Sequence, residues 1–233
     1  MPHPPSNWID HLPRTHLAAE FSLWSADLTR MADDLARIDP FADVLHIDVA
    51  DGHFAPALLF FPDLVAAIRK QSAKPLHVHL MAADPVILAQ IDQFADAGAD
   101  LISVHLENTG ALDAALDRIA ARGLAAGVVL KVRTPVADAA RVLPRLRFLT
   151  LLGTEIGMKG QGLDPAAGDR LRDAERMIAG CAAKHRIILA ADGGIRENTV
   201  PLLRAAGAES VVLGSLAFGA PDLTARMTWL NAL

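Results

Sequence analysis

A histidine and an aspartate lie two residues apart near the end of an apolar run, and they are the clearest chemical signal in the sequence. The run begins at Val44, and it ends in a polar turn that contains Gly52. Such a run predicts a β-strand. Residues i and i+2 of a strand point to the same side, so His46 and Asp48 should project together. Their side chains can bind a metal ion or take part in proton transfer.

Polar side chains also occur near the ends of other predicted strands, where burial would be costly without a partner. They are His77, His79, His105, Lys131 and Asp192. In a barrel these strand ends meet at one mouth, so two imidazoles and two carboxylates there predict a site for a divalent metal. Mixed nitrogen and oxygen ligands suit Zn²⁺, Mn²⁺ or Fe²⁺ and do not choose among them. His79 lies closer to its strand end than His77 and is the predicted ligand, whereas His105 is predicted to line the pocket.

Two glycine-containing turns follow the last two predicted strands. They are Gly193-Gly194 and Gly214-Ser215. Barrels often bind phosphate at these two positions through backbone N–H groups, and glycine lets an anion approach the backbone closely. The turns therefore predict an anion site beside the His/Asp group.

Apolar runs with strand character alternate with helical segments eight times along the chain. The strands are predicted at residues 19–23, from 44, and at 76–81, 101–105, 124–132, 148–152, 187–191 and 210–213. A short helix is predicted at residues 135–143, and a long one at 165–183 after a glycine-rich loop. Nearly continuous apolar strands are expected where both sheet faces are covered. Eight such units favour an α/β fold of the (β/α)₈ barrel type.

The composition fits one domain of that size. The chain has 233 residues, 52% of them hydrophobic, and a formal net charge of −5. Residues 1–18 are predicted to be an N-terminal extension, loose or draped over the surface, and residues 19–233 to be a single barrel domain. Mild acidity gives no sign of nucleic-acid binding, which usually appears as a clustered basic face.

The sequence also carries signals of cellular location. A single cysteine, Cys181, excludes an intramolecular disulfide and suits a reducing compartment. The sequence contains no run of about 18 apolar residues that would cross a membrane. Its first residues lack the basic and apolar regions of a signal peptide. We therefore expect a cytoplasmic protein without a membrane partner.

Several motifs together resemble those of the ribulose-phosphate 3-epimerase family of ketose-phosphate epimerases. The resemblance covers nearly all of residues 20–220. Its motifs are Ser22-Leu23-Trp24-Ser25-Ala26-Asp27, His46-Ile47-Asp48-Val49-Ala50-Asp51-Gly52-His53-Phe54, His79-Leu80-Met81, Ala97-Gly98-Ala99-Asp100, Ala191-Asp192-Gly193-Gly194-Ile195 and Gly207-Ala208-Glu209 leading to Gly214-Ser215. The resemblance implies a (β/α)₈ barrel, a phosphorylated ketose as substrate and a homo-oligomer.

The resemblance also implies roles for individual residues. One divalent metal ion per subunit would be held by His46, Asp48, His79 and Asp192. Asp48 and Asp192 would be the acid/base pair that epimerises C3 through an enediolate. The residues expected to contact the substrate are Ser22, Met81, Gly157, Lys159, Gly160, Gln161, Gly193, Gly194, Gly214 and Ser215.

Departures from the family pattern lie in the predicted substrate walls. Ala50 and Leu152 stand where the family usually has methionine, so only Met81 remains of that apolar cap. Ala57 stands in place of an asparagine. Lys159 replaces a glycine of the phosphate loop and adds a charge that can contact phosphate. These changes leave the reaction type intact and open the choice of substrate to ketose phosphates other than ribulose 5-phosphate.

Other functions remain open from the sequence. Lys131, at the end of strand five, could act as the amine of a Schiff-base aldolase. A non-catalytic barrel that binds sugar phosphates is a further alternative. A related barrel decarboxylase is disfavoured, because its Asp-x-Lys-x-x-Asp motif has no counterpart after Asp48, where Val49 and Ala50 follow.

Overall fold

Eight parallel strands pair in sequence order and close into a barrel in the computed structural model of the chain, which describes residues 3–233. The predicted (β/α)₈ class is therefore confirmed. The strands are β1 (Ala18–Ser22), β2 (Val44–Ala50), β3 (Leu76–Met81), β4 (Leu101–His105), β5 (Ala125–Leu130), β6 (Phe148–Leu152), β7 (Ile188–Asp192) and β8 (Ser210–Leu213).

Amphipathic helices cover the outside of the barrel. In α3, for example, the buried residues Ile87, Ile91 and Phe94 recur at the spacing of one helical face. The helices are α1 (Met31–Ile38), α2 (Pro62–Arg69), α3 (Asp84–Asp96), α4 (Leu112–Ala121), α5 (Ala167–Ala179), α6 (Val200–Ala205), α7 (Ser215–Phe218) and α8 (Leu223–Asn231).

The connection after β5 differs from the prediction. The α-helix predicted at residues 135–143 is wrong, because the chain forms two short 3₁₀ segments, Val136–Ala139 and Leu143–Arg145. Pro144 lies inside the second segment and has no N–H to continue an α-helix. The helix predicted at 165–183 is also shorter than expected, since α5 ends at its C-cap Gly180.

The barrel interior contains a polar layer above an apolar one. Lower interior positions are filled by Val44, Leu101, Phe148 and Ile188, which belong to one hydrophobic cluster. Two residues further along β2 comes His46, which pairs in register with His77 of β3. Because strand residues alternate between faces, the next interior position lies two residues further along each strand. In β2, β4 and β6 that position is polar, with His46, Ser103 and Thr150.

The N-terminal extension closes the lower end of the barrel. A 3₁₀ turn at Trp8–His11 inserts Trp8 and Ile9 beneath the barrel, where Trp8 packs 6.1 Å from the ring centre of Phe148. Arg186 holds the following chain by donating hydrogen bonds to the carbonyls of Leu12 and Pro13, both at 2.9 Å. The expectation of a loose extension is therefore wrong for these buried residues. Its first two residues, Met1 and Pro2, lie outside the described part of the chain.

The buried residues Trp8, Ile9 and Leu12, which we call the N-terminal plug, should contribute measurably to stability. Trp8 is only 8% exposed, so Trp8→Ala is expected to lower the free energy of unfolding by about 3 kcal/mol through lost burial and a residual cavity. Denaturant unfolding followed by circular dichroism measures the loss. Leu202→Ala is the matched control, because Leu202 is 64% exposed and its change should stay within about 0.5 kcal/mol. Equal effects of the two substitutions would contradict the assigned packing of Trp8.

Among residues 3–233, the helices are all too short or too polar to span a bilayer.

Candidate active site

Four side chains from three strands meet at the carboxyl end of the barrel. Asp48 and His79 are register partners on β2 and β3, and Asp192 is the last residue of β7. His46 precedes Asp48 by two residues and faces the same side. Each of the four offers a ligand atom, and these atoms all lie within 4.8 Å of one another. The structure therefore brings together the four residues that the sequence singled out.

The contacts among these groups centre on one carboxylate oxygen. Oδ1 of Asp48 lies 3.4 Å from Nε2 of His46 and 3.3 Å from Nδ1 of His79. The same Nδ1 of His79 lies 3.7 Å from Oδ2 of Asp192. We call His46, Asp48, His79 and Asp192 the ligand cluster.

A divalent cation fits this cluster. Nε2 of His46 is buried and has no hydrogen-bond partner among residues 3–233, although it points towards Asp48. A buried polar nitrogen without a partner is costly, and a bound cation would satisfy it. Two imidazoles and two carboxylates form a mixed donor set of the kind that binds Zn²⁺, Mn²⁺ or Fe²⁺.

The two carboxyls of the cluster differ in their electrostatic surroundings. Burial opposes ionisation of Asp48, but the neighbouring His46 and His79 outweigh it and hold the pKa of Asp48 well below its usual value. Burial raises the pKa of Asp192, and the charge of Asp48 adds to the rise although His46 opposes it. Burial likewise disfavours a charged His46, yet Asp48 and Glu20 raise its pKa well above the usual value. The cluster therefore stabilises a positive charge beside Asp48 and a proton on Asp192.

The end of β1 adds a hydroxyl to the cluster. Ser22 donates a hydrogen bond to Oδ2 of Asp48 at 2.7 Å. The other oxygen of Asp48 remains directed at the two histidines. Ser22 thus fixes the orientation of this carboxylate and also faces the cavity above it.

A cavity of about 340 Å³ opens directly above the cluster. His46 lies beneath it, fully buried. All the other residues to which the family resemblance gave a role line this cavity. They are Ser22, Asp48, His79, Met81, Gly157, Lys159, Gly160, Gln161, Asp192, Gly193, Gly194, Gly214 and Ser215. Sequence reasoning did not assign Trp24, Thr154, Glu155, Met158 or Arg196, which also line the cavity.

The loop after β6 forms one wall of the cavity. The side chain of Gln161 accepts a hydrogen bond from the N–H of Glu155 at 3.3 Å and donates to the carbonyls of Glu155 and Met158, both at 3.0 Å. Gly157 has φ +74°, and a Cβ there would lie 2.9 Å from Cδ of Pro56. Gln161 therefore braces the loop from within, and Gly157 lets it pack against the loop after β2.

Lys159 extends from this loop across the mouth of the cavity. Its ammonium donates to the carbonyl of Trp24 at 2.5 Å and lies 4.7 Å from the centre of the Trp24 ring. These contacts are a hydrogen bond and a cation–π interaction, both partly open to solvent. Lys159 therefore holds a positive charge beside the cavity on a flexible side chain.

The turn after β7 presents bare backbone to the cavity. Gly193 and Gly194 have φ values of +84° and +70°, a region that favours glycine. A Cβ on Gly193 would lie 2.3 Å from Oγ1 of Thr154, so the turn also packs tightly against the β6 loop. Glycine is thus favoured at these positions by the backbone conformation and by the close packing, and it also leaves the backbone exposed to the cavity.

Lys131, the candidate Schiff-base lysine, is not among the residues that line the cavity above the ligand cluster. Its ammonium lies 3.9 Å from the centre of the Phe54 ring, and its backbone N–H donates to Glu107. The side chain is thus engaged with an aromatic face beside the barrel mouth.

Two hydrogen-bonded chains behind the ligand cluster were not anticipated. One joins His46 to Glu20 and His77, and the other joins His79 to His105 and Glu107. The prediction that His105 lines the pocket is wrong, because this residue is fully buried behind His79. Burial lowers the pKa of both His77 and His105 to about 4, so each is a neutral imidazole near neutral pH.

Comparisons with known proteins found relatives along most of the chain. The profile of the Ribulose-phosphate 3 epimerase family matches residues 18–218. A protein of Bacillus subtilis named ribulose-phosphate 3-epimerase is 36% identical over 202 residues, which cover 86% of this chain and 92% of that protein. A protein of the same name from Escherichia coli K12 is 35% identical over 203 residues, covering 86% and 88%.

Solved structures of lower identity share the fold. A 3-hexulose-6-phosphate synthase superposes with a TM-score of 0.66 at 18% identity, over 93% of this chain and 99% of that one. The orotidine 5′-phosphate decarboxylase of Pyrococcus horikoshii OT3 gives a TM-score of 0.63 at 12% identity, over 91% and 97%. At such identities the likeness concerns the barrel alone.

Proposed function

The chain belongs to the Ribulose-phosphate 3 epimerase family, and from this premise we propose that it epimerises C3 of a ketose phosphate with Asp48 and Asp192 as the acid/base pair. One observation supports the proposal above all. Two carboxyls on separate strands line a single cavity, and their surroundings shift their pKa values in opposite directions. Such a pair provides a base and an acid at the same pH.

The two carboxyls perform complementary proton transfers. Asp48, held ionised beside His46, takes the C3 proton from one face of the sugar. Asp192, whose pKa is raised by burial, returns a proton to the opposite face of the planar enediolate. In the reverse direction the two residues exchange these tasks. Ser22 keeps Asp48 oriented by its hydrogen bond, so the base is aimed before the substrate arrives.

His46, Asp48, His79 and Asp192 would hold one divalent cation per subunit, which we propose to be Zn²⁺, Mn²⁺ or Fe²⁺. When bound, the cation acts as a Lewis acid that makes the C3 proton of the ketose more acidic. His46 lies below the cavity floor, so it contributes to the cation site without contacting the sugar.

The phosphate of the substrate would bind where the turns after β7 and β8 line the cavity. Gly193, Gly194, Gly214 and Ser215 line it there, and the glycines expose only backbone. Gly160 and Gln161 shape the loop after β6, and Lys159 of the same loop, which lines the cavity, would bring its ammonium to the anion. Met81, in an apolar cluster with Ala50 and Ala55, would contact the carbon chain of the sugar.

Lys159→Ala tests the phosphate assignment. Loss of a hydrogen bond to a charged group costs about 1.5 kcal/mol or more, which corresponds to an increase in KM for the phosphorylated ketose of roughly tenfold. The value of kcat should change little, because Lys159 is not part of the acid/base pair. Steady-state kinetics give both constants, and exposed Lys184→Ala is the matched control. An unchanged KM in Lys159→Ala would contradict a contact between Lys159 and phosphate.

The substrate itself is tested by a panel of ketose phosphates. The relatives are named for ribulose phosphate, so ribulose 5-phosphate with detection of xylulose 5-phosphate comes first. Tetrulose and hexulose phosphates follow, because Ala50 and Leu152 leave the cavity walls different from the family pattern. Turnover of none of these compounds by metal-loaded protein would contradict the proposed epimerase activity.

A further inference from the structure

Two carboxylates outside the ligand cluster lie in places where an isolated charge would be costly. Glu20 is fully buried inside the barrel, and the carboxylate of Glu107 is 22% exposed beside buried His105. Each accepts several hydrogen bonds. Glu20 contacts His46 of the cluster directly, and Glu107 is connected to His79 through His105. A buried carboxylate persists only with such partners, so the donors around it reveal how the neighbouring rings are protonated.

Glu20 receives three donors. Its Oε2 lies 2.7 Å from Nδ1 of His77 and 3.1 Å from Nδ1 of His46, and its Oε1 accepts from Oγ of Ser210 at 2.7 Å. An ionised carboxylate can only accept, so both histidines must carry a proton on Nδ1. Nε2 of His77 lies 2.7 Å from Oγ of Ser103, which accounts for the remaining atom of that ring.

For His46 this arrangement decides which nitrogen is available to a cation. Nδ1 keeps its proton because it faces Glu20. Nε2 is therefore the only ring atom that can present a lone pair. It is buried and points at Asp48, and residues 3–233 supply no hydrogen-bond partner for it. Glu20 thus directs Nε2 of His46 into the ligand cluster.

For His79 the opposite nitrogen is selected through an intermediate ring. Oε1 of Glu107 accepts the N–H of Lys131 at 2.9 Å and the hydroxyl of Thr134. Its Oε2 lies 3.1 Å from Nδ1 of His105, so that nitrogen carries a proton. Nε2 of His105 lies 2.9 Å from Nε2 of His79. One of these two atoms must donate and the other accept. When His79 uses Nδ1 for a cation, its proton lies on Nε2, and a neutral His105 accepts it.

We propose that Glu20 and Glu107 are positioning residues that fix opposite tautomers of the two histidines, so that His46 offers Nε2 and His79 offers Nδ1 to the same cation. The inference rests on the proposed cation site and extends it beyond the four ligands. Outer hydrogen-bond partners commonly set the ring orientation and basicity of metal-binding histidines. Here one carboxylate acts directly, and the other acts through His105.

Glu20, His46 and His77 also lie close enough together to hold an ion of their own. Their distances favour hydrogen bonds instead. Ligand atoms that share a tetrahedral Zn²⁺ at ordinary bond lengths lie about 3.3 Å apart. Nδ1 of His77 and Oε2 of Glu20 are 2.7 Å apart, and Ser103 and Ser210 complete the partners of this group. The group is thus a hydrogen-bonded support for His46.

The tautomers can be read in the unmodified protein. We would load ¹⁵N-histidine-labelled protein with Zn²⁺ and record long-range ¹H–¹⁵N correlation spectra of the rings, assigning signals with His46→Gln and His79→Gln. The expected result is a ring proton on Nδ1 of His46 and on Nε2 of His79. A proton on Nε2 of His46, or on Nδ1 of His79, would overturn the inference without any reference to turnover.

Two isosteric variants test the carboxylates themselves. Glu20→Gln and Glu107→Gln replace a group that only accepts hydrogen bonds by one that also donates. The variant side chain therefore no longer fixes which ring nitrogen of the histidine carries the proton. We expect Zn²⁺ affinity, measured by competition with a chromophoric chelator, to fall about 10- to 100-fold in each variant. Asp43→Asn is the matched control, because Asp43 accepts the N–H of Ala19 on β1 and touches no histidine of the cluster. Its affinity should remain within twofold of the wild type.

The outcomes separate this inference from the proposed function. Folded variants that bind Zn²⁺ as tightly as the wild type would overturn the inference, while epimerisation by the wild type would still stand. Predicted tautomers without any turnover of ketose phosphates would support the inference and contradict the function. If Glu20→Gln does not fold, the spectra of the wild type and the Zn²⁺ affinity of Glu107→Gln still decide whether the inference holds.

Discussion

An Asp192→Asn variant should lose about 10²- to 10⁴-fold in kcat for epimerisation, because it lacks the group that returns a proton to one face of the sugar. The amide keeps the size of the side chain and an oxygen atom in the cluster. Assays at saturating divalent cation, with bound metal measured in the same samples, separate the lost proton donor from a lost cation. Asp138→Asn, at an exposed position outside the barrel, is the control and should retain full activity.

The same variant allows a sharper test of the two-carboxyl assignment. With Asp48 intact, Asp192→Asn should still exchange the C3 proton of one epimer with solvent, although it no longer produces the other epimer. Asp48→Asn should show the reverse preference. Proton NMR in D₂O with each purified epimer reveals the exchange. Wild-type turnover in either variant, or exchange of both epimers in Asp192→Asn, would contradict the assignment of one carboxyl to each face.

Removal of the metal should have the second large effect. Dialysis against a chelator is expected to abolish turnover, and addition of Zn²⁺, Mn²⁺ or Fe²⁺ should restore it. Metal binding should also stabilise the fold by about 4 kcal/mol at a thousandfold excess over Kd, which for a domain of this size raises the melting midpoint by roughly 8–16 °C. The physical reason is that a cation balances the negative charge of the clustered carboxylates. It also supplies a partner for Nε2 of His46, which has none among residues 3–233.

Differential scanning fluorimetry and activity assays on matched apo and reloaded samples check this result. Mg²⁺ serves as a comparison ion, because it prefers oxygen ligands and should restore less stability than ions that accept imidazole. Full activity and an unchanged melting midpoint at background metal content would show that the cluster works without a cation.

The sequence predicted most of the barrel and the centre of its site. The four cluster residues lie at strand ends, and the period of two residues in a strand determines which side chains face inwards. His46 and Asp48 could therefore be paired from their spacing alone, and His79 could be preferred over His77 from its place along β3. The distance from Asp192 to the other three residues could not be predicted from the sequence. Asp192 joins the cluster across the mouth of the barrel, so this distance depends on how the barrel closes.

Glu20 and Glu107 were missed for a physical reason. Hydrophobic patterns show which face of a strand is buried, but they do not show which donors a buried carboxylate meets across the barrel. The available signal was the charge itself, since Glu20 interrupts the apolar run 17–23 at an inward position. Its partners Ser210 and His77 come from β8 and β3, so only the closed strand order brings them together.

The N-terminal plug and the β5 connection were missed for simpler reasons. Trp8, Ile9 and Leu12 are large and apolar, but they belong to a turn too short to show a helical or strand period. Their burial depends on the open lower end of the barrel, which no local pattern reports. After β5, local helix propensity competed with Pro144, and the proline prevented a continuous α-helix.

The most direct test of the central claim is proton NMR of ribulose 5-phosphate with metal-loaded protein in D₂O, repeated after chelation. We expect deuterium uptake at C3 together with formation of xylulose 5-phosphate, both lost on chelation and both regained on reloading. Formation of xylulose 5-phosphate without deuterium at C3, or unchanged conversion after removal of the metal, would contradict proton transfer by Asp48 and Asp192 at a cation site.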